Sequence, residues 1–199
     1  SFTRASNGTR VNSAGLVEDC PWNLVQQSET FDNAVWTKFD STITANATIS
    51  PNGTTTADKL VESATTNVHW IFQSTTTTSS LAMSCYMKKG ERDWGLIRTR
   101  TSLGDRFAWF NLNTGVVGTV ESSISASITD VGNGWYRCIV VSANPTASAN
   151  PFVIGLSNAD NVSTYTGNGT SGIFIWGAQL NIGSTANPYF PTTDRLNVP

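Results

Sequence analysis

The chain has 199 residues, of which only 13% are charged, about half the share found in ordinary soluble proteins. With a net charge of −2, it lacks the clustered Lys and Arg that nucleic-acid recognition requires, so we expect no nucleic-acid partner. A hydrophobic share of 39%, with 7 Trp and 9 Phe, excludes a disordered chain.

Residues 1–22 are polar, follow no regular pattern and end in DCPW, so we interpret them as an N-terminal arm or linker. The opening SFTRASNGTR has no hydrophobic stretch of the signal-peptide type. Trp22 is expected to pack this arm onto the domain that follows. No apolar run approaches the roughly 20 residues that span a bilayer, so membrane insertion is not expected.

From residue 23 onward, short runs rich in β-branched and aromatic residues alternate with breaks made by Gly, Asn, Asp and Pro. No long window has apolar residues at helical spacing. The predicted strands lie, in order, in STITANATIS, TADKLVES, NVHWIFQS, LAMSCYMKK, WGLIRTRT, RFAWFNL, VVGTV, SISASIT, WYRCIVVSA, NPFVIGLSN and GIFIWGAQLNIG. This pattern predicts an antiparallel β-sandwich of the jelly-roll type over residues 23–191. Residues 192–199 are predicted to be a non-regular tail.

The three cysteines are Cys20, Cys85 and Cys138. An odd count without a CxxC pair argues against a disulfide framework or a zinc site. Cys85 and Cys138 lie in apolar, strand-like runs, so we interpret them as buried free thiols. A bridge between these two residues is the alternative.

Several longer segments carry a resemblance to a known class of protein. In chain order, these segments are FTRASNGTRVNSAGLVE, NLVQQSETFDNAVWTKFD, SPNGTTTADKLVES, FNLNTGVVGTV, ITDVGNGWYRCIV, YTGNGTSGIFIWGAQLNIGS and YFPTT. Together they resemble a module of tailed-phage structural proteins, found in tail fibres, tail spikes and other virion appendages. The sandwich resembles the carbohydrate-binding modules of the galactose-binding-like jelly-roll superfamily. The resemblance implies non-catalytic glycan binding on a virion.

The same resemblance bears on metal binding. An E-x-F-x-x-x-x-W segment, here Glu29, Phe31 and Trp36, is expected near the last strand. Many such modules hold a structural calcium ion close to that acidic residue and to an Asp on the last strand. Here Gln179 stands near the position of that Asp, and Gln supplies a carbonyl oxygen but no charge. Glycan binding by such a module requires no cofactor. The alternative is a structural calcium ion held by Glu29, Asp58 and Gln179.

An enzymatic function would depend on few residues. His69 is the only histidine, so it is the only candidate base for a Ser-His-Asp or Cys-His arrangement, and no G-x-S-x-G motif is present. We place His69 in the middle of a strand and interpret it as structural or surface-exposed, with hydrogen bonding to a ligand as the alternative. Most acidic residues lie in or beside turns, which does not favour the carboxylate pair of a glycosidase. The chain is therefore predicted not to be an enzyme.

Glycan binding would use aromatic rings stacked on sugar C–H groups and polar side chains directed at hydroxyls. We assign Trp36, Trp135 and Trp176 to the core. The remaining strand tryptophans are candidates for either the core or the ligand, namely Trp70, Trp94 and Trp109.

Arg98 and Arg100 are expected on an open sheet face, because unpaired charge is rarely buried. They are candidates for binding hydroxyls or acidic sugars, or they are ordinary solvated arginines.

Three functions are compatible with these patterns. The first is a virion module that binds host-surface or mucosal polysaccharide. The second is a structural virion domain that packs against other virion subunits, with a homo-oligomer as one arrangement, and binds no sugar. The third is a targeting module cut from a polysaccharide-degrading enzyme.

Overall fold

The computed structural model describes residues 9–11, 15, 17–19, 23–75, 79–143, 145 and 150–194. Cys20, Trp22 and residues 195–199 of the predicted tail lie outside these residues, so the predictions made for them stay open. Within the described ranges the protein is all-β and has no helix, hence none that would cross a membrane.

Short alternating or apolar runs form strands because successive side chains point to opposite faces of a sheet. The described strands are β1 Thr9–Val11, β2 Val17–Asp19, β3 Thr37–Phe39, β4 Ser41–Thr48, β5 Ala57–Glu62, β6 Thr66–Asn67, β7 Trp70–Thr75, β8 Leu81–Lys89, β9 Trp94–Thr101, β10 Gly104–Asn111, β11 Val116–Val120, β12 Ile124–Gly132, β13 Trp135–Ser142, β14 Asn150–Ser157, β15 Tyr165–Thr166 and β16 Gly172–Ile182.

Two six-stranded antiparallel sheets make up the body of the protein. The first sheet has the order β11-β10-β9-β14-β7-β3, and the second has the order β12-β13-β8-β16-β5-β4. The chain passes repeatedly from one sheet to the other, as in a jelly roll. β1 pairs with β2 and β15 pairs with β6 in two small ribbons. The predicted antiparallel β-sandwich is confirmed.

The core fills the space between the two sheets. Alternate residues of the central strands turn inward and are almost fully buried there: Ile97, Ala108, Phe110 and Ile154 from the first sheet, and Met83, Cys85, Met87, Cys138 and Ile175 from the second. Burying an aliphatic or aromatic side chain of this size stabilises the fold by about 1.5–3 kcal/mol. The residues between them in sequence must therefore point outward.

The segment before β3 is tied to the last strand. Leu24 N donates to Leu180 O at 2.7 Å, and Ala178 N donates to Ser28 O at 2.9 Å. Farther along the segment, Phe31 and Trp36 are buried in the core.

Both predicted irregular ends contain more structure than the sequence indicated. In the predicted arm, Thr9–Val11 pairs with Val17–Asp19 as an antiparallel ribbon. At the other end, Thr192 belongs to the domain rather than to the tail, because it is buried and its carbonyl oxygen accepts a hydrogen bond from Ser28 N. β1 and β2 have three residues each, and Thr192 bonds through an irregular segment, so no alternating pattern marks either end.

Cys85 and Cys138 face each other directly in the β8–β13 register, and both are free and buried. Burial in the apolar core raises the pKa of both thiols. The thiols are therefore in their neutral form, and the bridge considered from the sequence is not formed.

Replacing Phe110 by Ala should lower the free energy of unfolding by about 3–5 kcal/mol, because it leaves a cavity at the centre of the core. Leu103→Ala is the control, since this side chain is largely exposed, and we expect a change below about 0.5 kcal/mol. Urea titration followed by tryptophan fluorescence measures both. Equal effects of the two substitutions would contradict this placement of the core.

Candidate functional site

The outer face of the first sheet carries most of the residues that the sequence singled out. Because Ile97 and Ala108 point into the core, Arg98 and Arg100 on β9 and Phe107 on β10 point away from it. Trp70 does the same on β7, next to the inward-facing Ile71. We call this surface the aromatic face, defined by Phe39, Trp70, Phe72, Phe107, Trp109, Arg98, Arg100 and Asp105.

Four of the rings form a continuous series across the sheet. The ring centroids of Phe39 and Trp70 are 6.2 Å apart, and those of Trp70 and Phe107 are 6.4 Å apart. Phe107 stacks on Trp109 with centroids 5.4 Å apart and an angle of 21° between the planes. These separations lie within the range of attractive aromatic contacts. The series reaches from the edge strand β3 to β10, which is five of the six strands.

The contact between Trp70 and Phe107 requires both side chains to lean across the sheet. β7 and β10 are separated by β14 and β9, so their backbones are about 14 Å apart. The rings close this gap by lying over the two intervening strands. Leu96 and Val153 also face outward there, yet both are 0% exposed. The aromatic face therefore has a small apolar layer of its own beneath the rings.

Gly155 makes room for this arrangement on β14. It lies between Trp70 and Leu96 in the register of the sheet. A Cβ at this position would stand 2.9 Å from Leu96 Cδ1 and 3.1 Å from Trp70 Cβ. A side chain there would push Trp70 away from the sheet.

Arg98 and Asp105 form an ion pair on the aromatic face. The guanidinium carbon of Arg98 is 5.0 Å from the Trp70 ring centroid and 6.0 Å from that of Phe107. Its Nη2 lies 2.7 Å from Asp105 Oδ2, while Arg100 Nε lies 3.2 Å from Asp105 Oδ1. Arg98 thus contacts two rings and a carboxylate at once. Stacking of this kind stabilises by about 0.5–2 kcal/mol, depending on solvation.

The members of the aromatic face differ in their access to solvent. Phe39 is 44% exposed, and Trp70, Phe72 and Phe107 are partly exposed. Trp109 is only 2% exposed, and its Nε1 donates to Val162 O at 3.0 Å. Trp109 therefore packs against Phe107 and exposes little surface to a ligand.

Trp94 lies apart from the other two candidate tryptophans. It faces outward at the opposite end of β9, where a Cβ on Gly118 would come within 2.6 Å of its Cζ3. Next to Trp94, the carboxylate of Asp160 accepts hydrogen bonds from Thr119 N and Oγ1. Among the described residues, no ring of the aromatic face contacts Trp94.

His69 is not in the middle of a strand, so that prediction is wrong. β6 ends at Asn67 and β7 begins at Trp70, and His69 lies between them, fully buried. Its Nδ1 lies 2.6 Å from Asp40 O and its Nε2 3.3 Å from Tyr165 O. Its ring also packs edge-on against Tyr165. Both ring nitrogens face backbone carbonyl oxygens of the protein. The side chain does not lie on the aromatic face.

Beside His69 lies a buried polar cluster centred on Glu62, which the sequence did not reveal. Glu62 accepts two hydrogen bonds from Arg92, at 2.8 and 2.6 Å, and one from the Tyr165 hydroxyl at 2.6 Å. The backbone N–H of Asn168 adds a fourth at 2.8 Å. Burial alone would raise the pKa of Glu62, but these hydrogen bonds outweigh it and lower that pKa. The carboxylate is therefore ionised and fully occupied by protein donors.

Each of the proposed calcium ligands is engaged in hydrogen bonds within the protein. Asp58 accepts hydrogen bonds from Phe31 N and Asn46 N, and burial raises its pKa. Glu29 accepts one from the Tyr189 hydroxyl, and Gln179 Oε1 accepts one from Phe190 N.

Calcium takes about six to eight oxygen ligands. Within the part of the chain that the structure describes, no three His, Cys, Asp or Glu side chains lie close enough to hold a metal ion.

Comparison with known proteins adds no functional assignment: a scan against models of protein families gave no match, and a search of curated proteins found no significantly similar sequence. What the aromatic face binds must be inferred from its own residues. Trp70, Trp109, Arg98 and Arg100 were candidates from the sequence, and the fold brings them together. The sequence did not single out Phe39, Phe72 or Asp105. Phe107 lies on the same side of β10 as Trp109 and opposite to Arg106, because side chains alternate along a strand.

Replacing Glu62 by Gln should destabilise the protein by about 3 kcal/mol at pH 7, because Arg92 loses its buried counter-charge. The folded pKa of Glu62 is depressed, so its ionic contribution is complete above the unfolded value of about 4.3 and disappears as the pH falls through the folded value. The variant should lack this part of the acid sensitivity. Thermal unfolding between pH 3 and 7 measures both effects.

Asp93→Asn is the control, because Asp93 forms an exposed ion pair with Lys89. Its effect should stay below about 1 kcal/mol. An acid sensitivity that is the same in Glu62→Gln and wild type would contradict the assignment.

Proposed function

We propose that this β-sandwich is a non-catalytic module that binds a polysaccharide on the aromatic face. The observation that carries the proposal is the continuous series from Phe39 through Trp70 to Phe107, lying on the outside of the first sheet. Aromatic rings of this kind stack on the C–H faces of sugars, and the neighbouring arginine and aspartate side chains hydrogen-bond hydroxyl groups.

The extent of the aromatic face favours a chain of sugars over a single one. Its rings cross five strands, and neighbouring strands are about 4.8 Å apart. A ligand that covers Phe39, Trp70 and Phe107 spans two successive steps of 6.2 and 6.4 Å between ring centroids.

His69 and Glu62, two residues that could take part in catalysis, are engaged by other groups of the protein. The ring nitrogens of His69 face backbone carbonyl oxygens, and Glu62 accepts four hydrogen bonds from protein groups. Asp105, the carboxylate among the residues that define the aromatic face, forms an ion pair with Arg98. This arrangement supports binding without catalysis.

The resemblance to tailed-phage appendage modules supplies the biological setting of the proposal. There the module would attach a virion to host-surface or mucosal polysaccharide, next to other virion subunits. A structural virion domain without a sugar ligand is the function that a failure to bind would favour.

Replacing Trp70 by Ala should weaken polysaccharide binding about tenfold or more, since a stacked aromatic ring contributes about 1.5 kcal/mol beyond its buried area. Phe174→Ala is the matched control: Phe174 is a partly exposed aromatic residue on the outer face of the second sheet, and affinity should not change. Affinity electrophoresis on bacterial and plant polysaccharides identifies a ligand, and calorimetry then measures its affinity.

Folding of each variant is checked by its thermal transition. If folded wild type binds none of these polysaccharides, the proposal is rejected and the structural function is favoured. If Trp70→Ala and Phe174→Ala lose affinity equally, the ligand does not bind at the aromatic face.

A further inference from the structure

We infer that the polysaccharide bound by the aromatic face is acidic, and that Arg100 binds its oxyanion groups. The inference rests on the proposed function and specifies the chemistry of its ligand. The shared chemistry is a carboxylate or sulfate borne on a sugar chain, either of which accepts paired hydrogen bonds from a guanidinium group.

Arg100 stands at the correct place to reach a substituent of a stacked sugar. It pairs with Asp105 in the β9–β10 register, two positions beyond the pair of Arg98 and Phe107. Two residues advance a strand by about 7 Å. Arg100, whose side chain is 49% exposed, is therefore within reach of a substituent on a sugar stacked on Phe107.

Asp105 does not neutralise Arg100 fully. Its Oδ2 is 2.7 Å from Arg98 Nη2, and the side chain of Arg98 is only 12% exposed. Asp105 Oδ1 lies 3.2 Å from Arg100 Nε but has no hydrogen-bond partner. Within the described residues, the side chain of Arg100 makes this ionic contact and no hydrogen bond, so its terminal N–H groups remain available to a ligand.

The other charged groups at this end of the aromatic face are held by contacts within the protein. Arg98 and Arg100 lie there beside Asp105 and Glu121, whereas Arg106 leaves β10 on the opposite side, with Ala108 and Phe110. Arg106 donates to the backbone oxygens of Asp105 and Leu103, and Glu121 Oε2 accepts from Phe107 N. Arg100 is the exposed cation among them, in a chain whose net charge is −2.

Desolvation decides between a neutral and an acidic ligand. A neutral sugar laid over Arg100 would remove water from a half-exposed cation without supplying an opposite charge, which is unfavourable. An oxyanion compensates for the lost water with charge-assisted hydrogen bonds. The two arginines therefore have different roles. Arg98 contacts Trp70 and Phe107 and fixes their positions, and Arg100 contacts the ligand.

The test compares two matched pairs of polysaccharides, dextran with dextran sulfate and methyl-esterified with de-esterified polygalacturonate. Calorimetry at low and high salt is run on wild type, Arg100→Gln, Arg100→Lys and Lys89→Gln. Lys89 is the control because its side chain is 47% exposed, close to that of Arg100, and it lies on the second sheet. We expect wild type to bind the acidic member of at least one pair tenfold or more tightly, with affinity falling as salt rises.

In Arg100→Gln this preference should fall about tenfold, because affinity for the acidic member decreases more than affinity for the neutral member. Arg100→Lys should restore part of the preference, since Lys keeps the charge but not the paired donors. The pair that shows the preference tells carboxylate from sulfate.

Two outcomes overturn the inference while leaving polysaccharide binding intact. One is equal affinity for both members of each pair in wild type. The other is a preference for the acidic member that Lys89→Gln reduces as much as Arg100→Gln does, which indicates non-specific charge attraction. Absence of binding to any polysaccharide by folded wild type rejects the proposed function itself.

Discussion

Because side chains alternate along β9 and β10, these two strands supply residues both to the core of the sandwich and to its outer surface. The core needs Ile97, Ala108 and Phe110 to point towards the second sheet. Because direction reverses at every residue of a strand, Arg98 and Phe107 must then point outward. A shift of one residue in this pairing would bury Arg98 and expose the core, so the same packing energy fixes the register of the outer residues.

The aromatic face needs more than alternation, because outward-facing rings on separate strands do not meet by themselves. Gly155 lets Trp70 lie close to the sheet, and the buried Leu96 and Val153 give the rings an apolar base. The Arg98 guanidinium then contacts Trp70 and Phe107 and pairs with Asp105. These contacts limit the conformations of the side chains before any ligand arrives, which lowers the entropy that binding must remove.

The charged groups of the protein fall into two kinds of environment. Glu62 and Arg92 form an ion pair beside Tyr165 and His69, in which both carboxylate oxygens of the buried Glu62 accept hydrogen bonds. Such a cluster orders the loops at that end of the sandwich. Arg100 is the contrasting case, since it is exposed and only partly compensated. His69 and Glu62 are thus engaged by other groups of the protein, and the more exposed cation lies next to the aromatic rings.

The sequence by itself determined the fold class and most of the strands, because a strand that buries one face or both leaves a local signature of alternating or apolar residues. It did not reveal β3, β6 or β15, whose two or three residues are too few to form a pattern, and it placed His69 inside a strand. For the aromatic face, alternation placed Arg98 with Arg100 and Phe107 with Trp109, each pair within one strand. Only the tertiary structure decided that Trp70 joins them, that Phe39 extends the series and that Trp109 is covered. Those facts depend on strand order, on the missing side chain at Gly155 and on the loop at Val162, which are relations between distant parts of the chain.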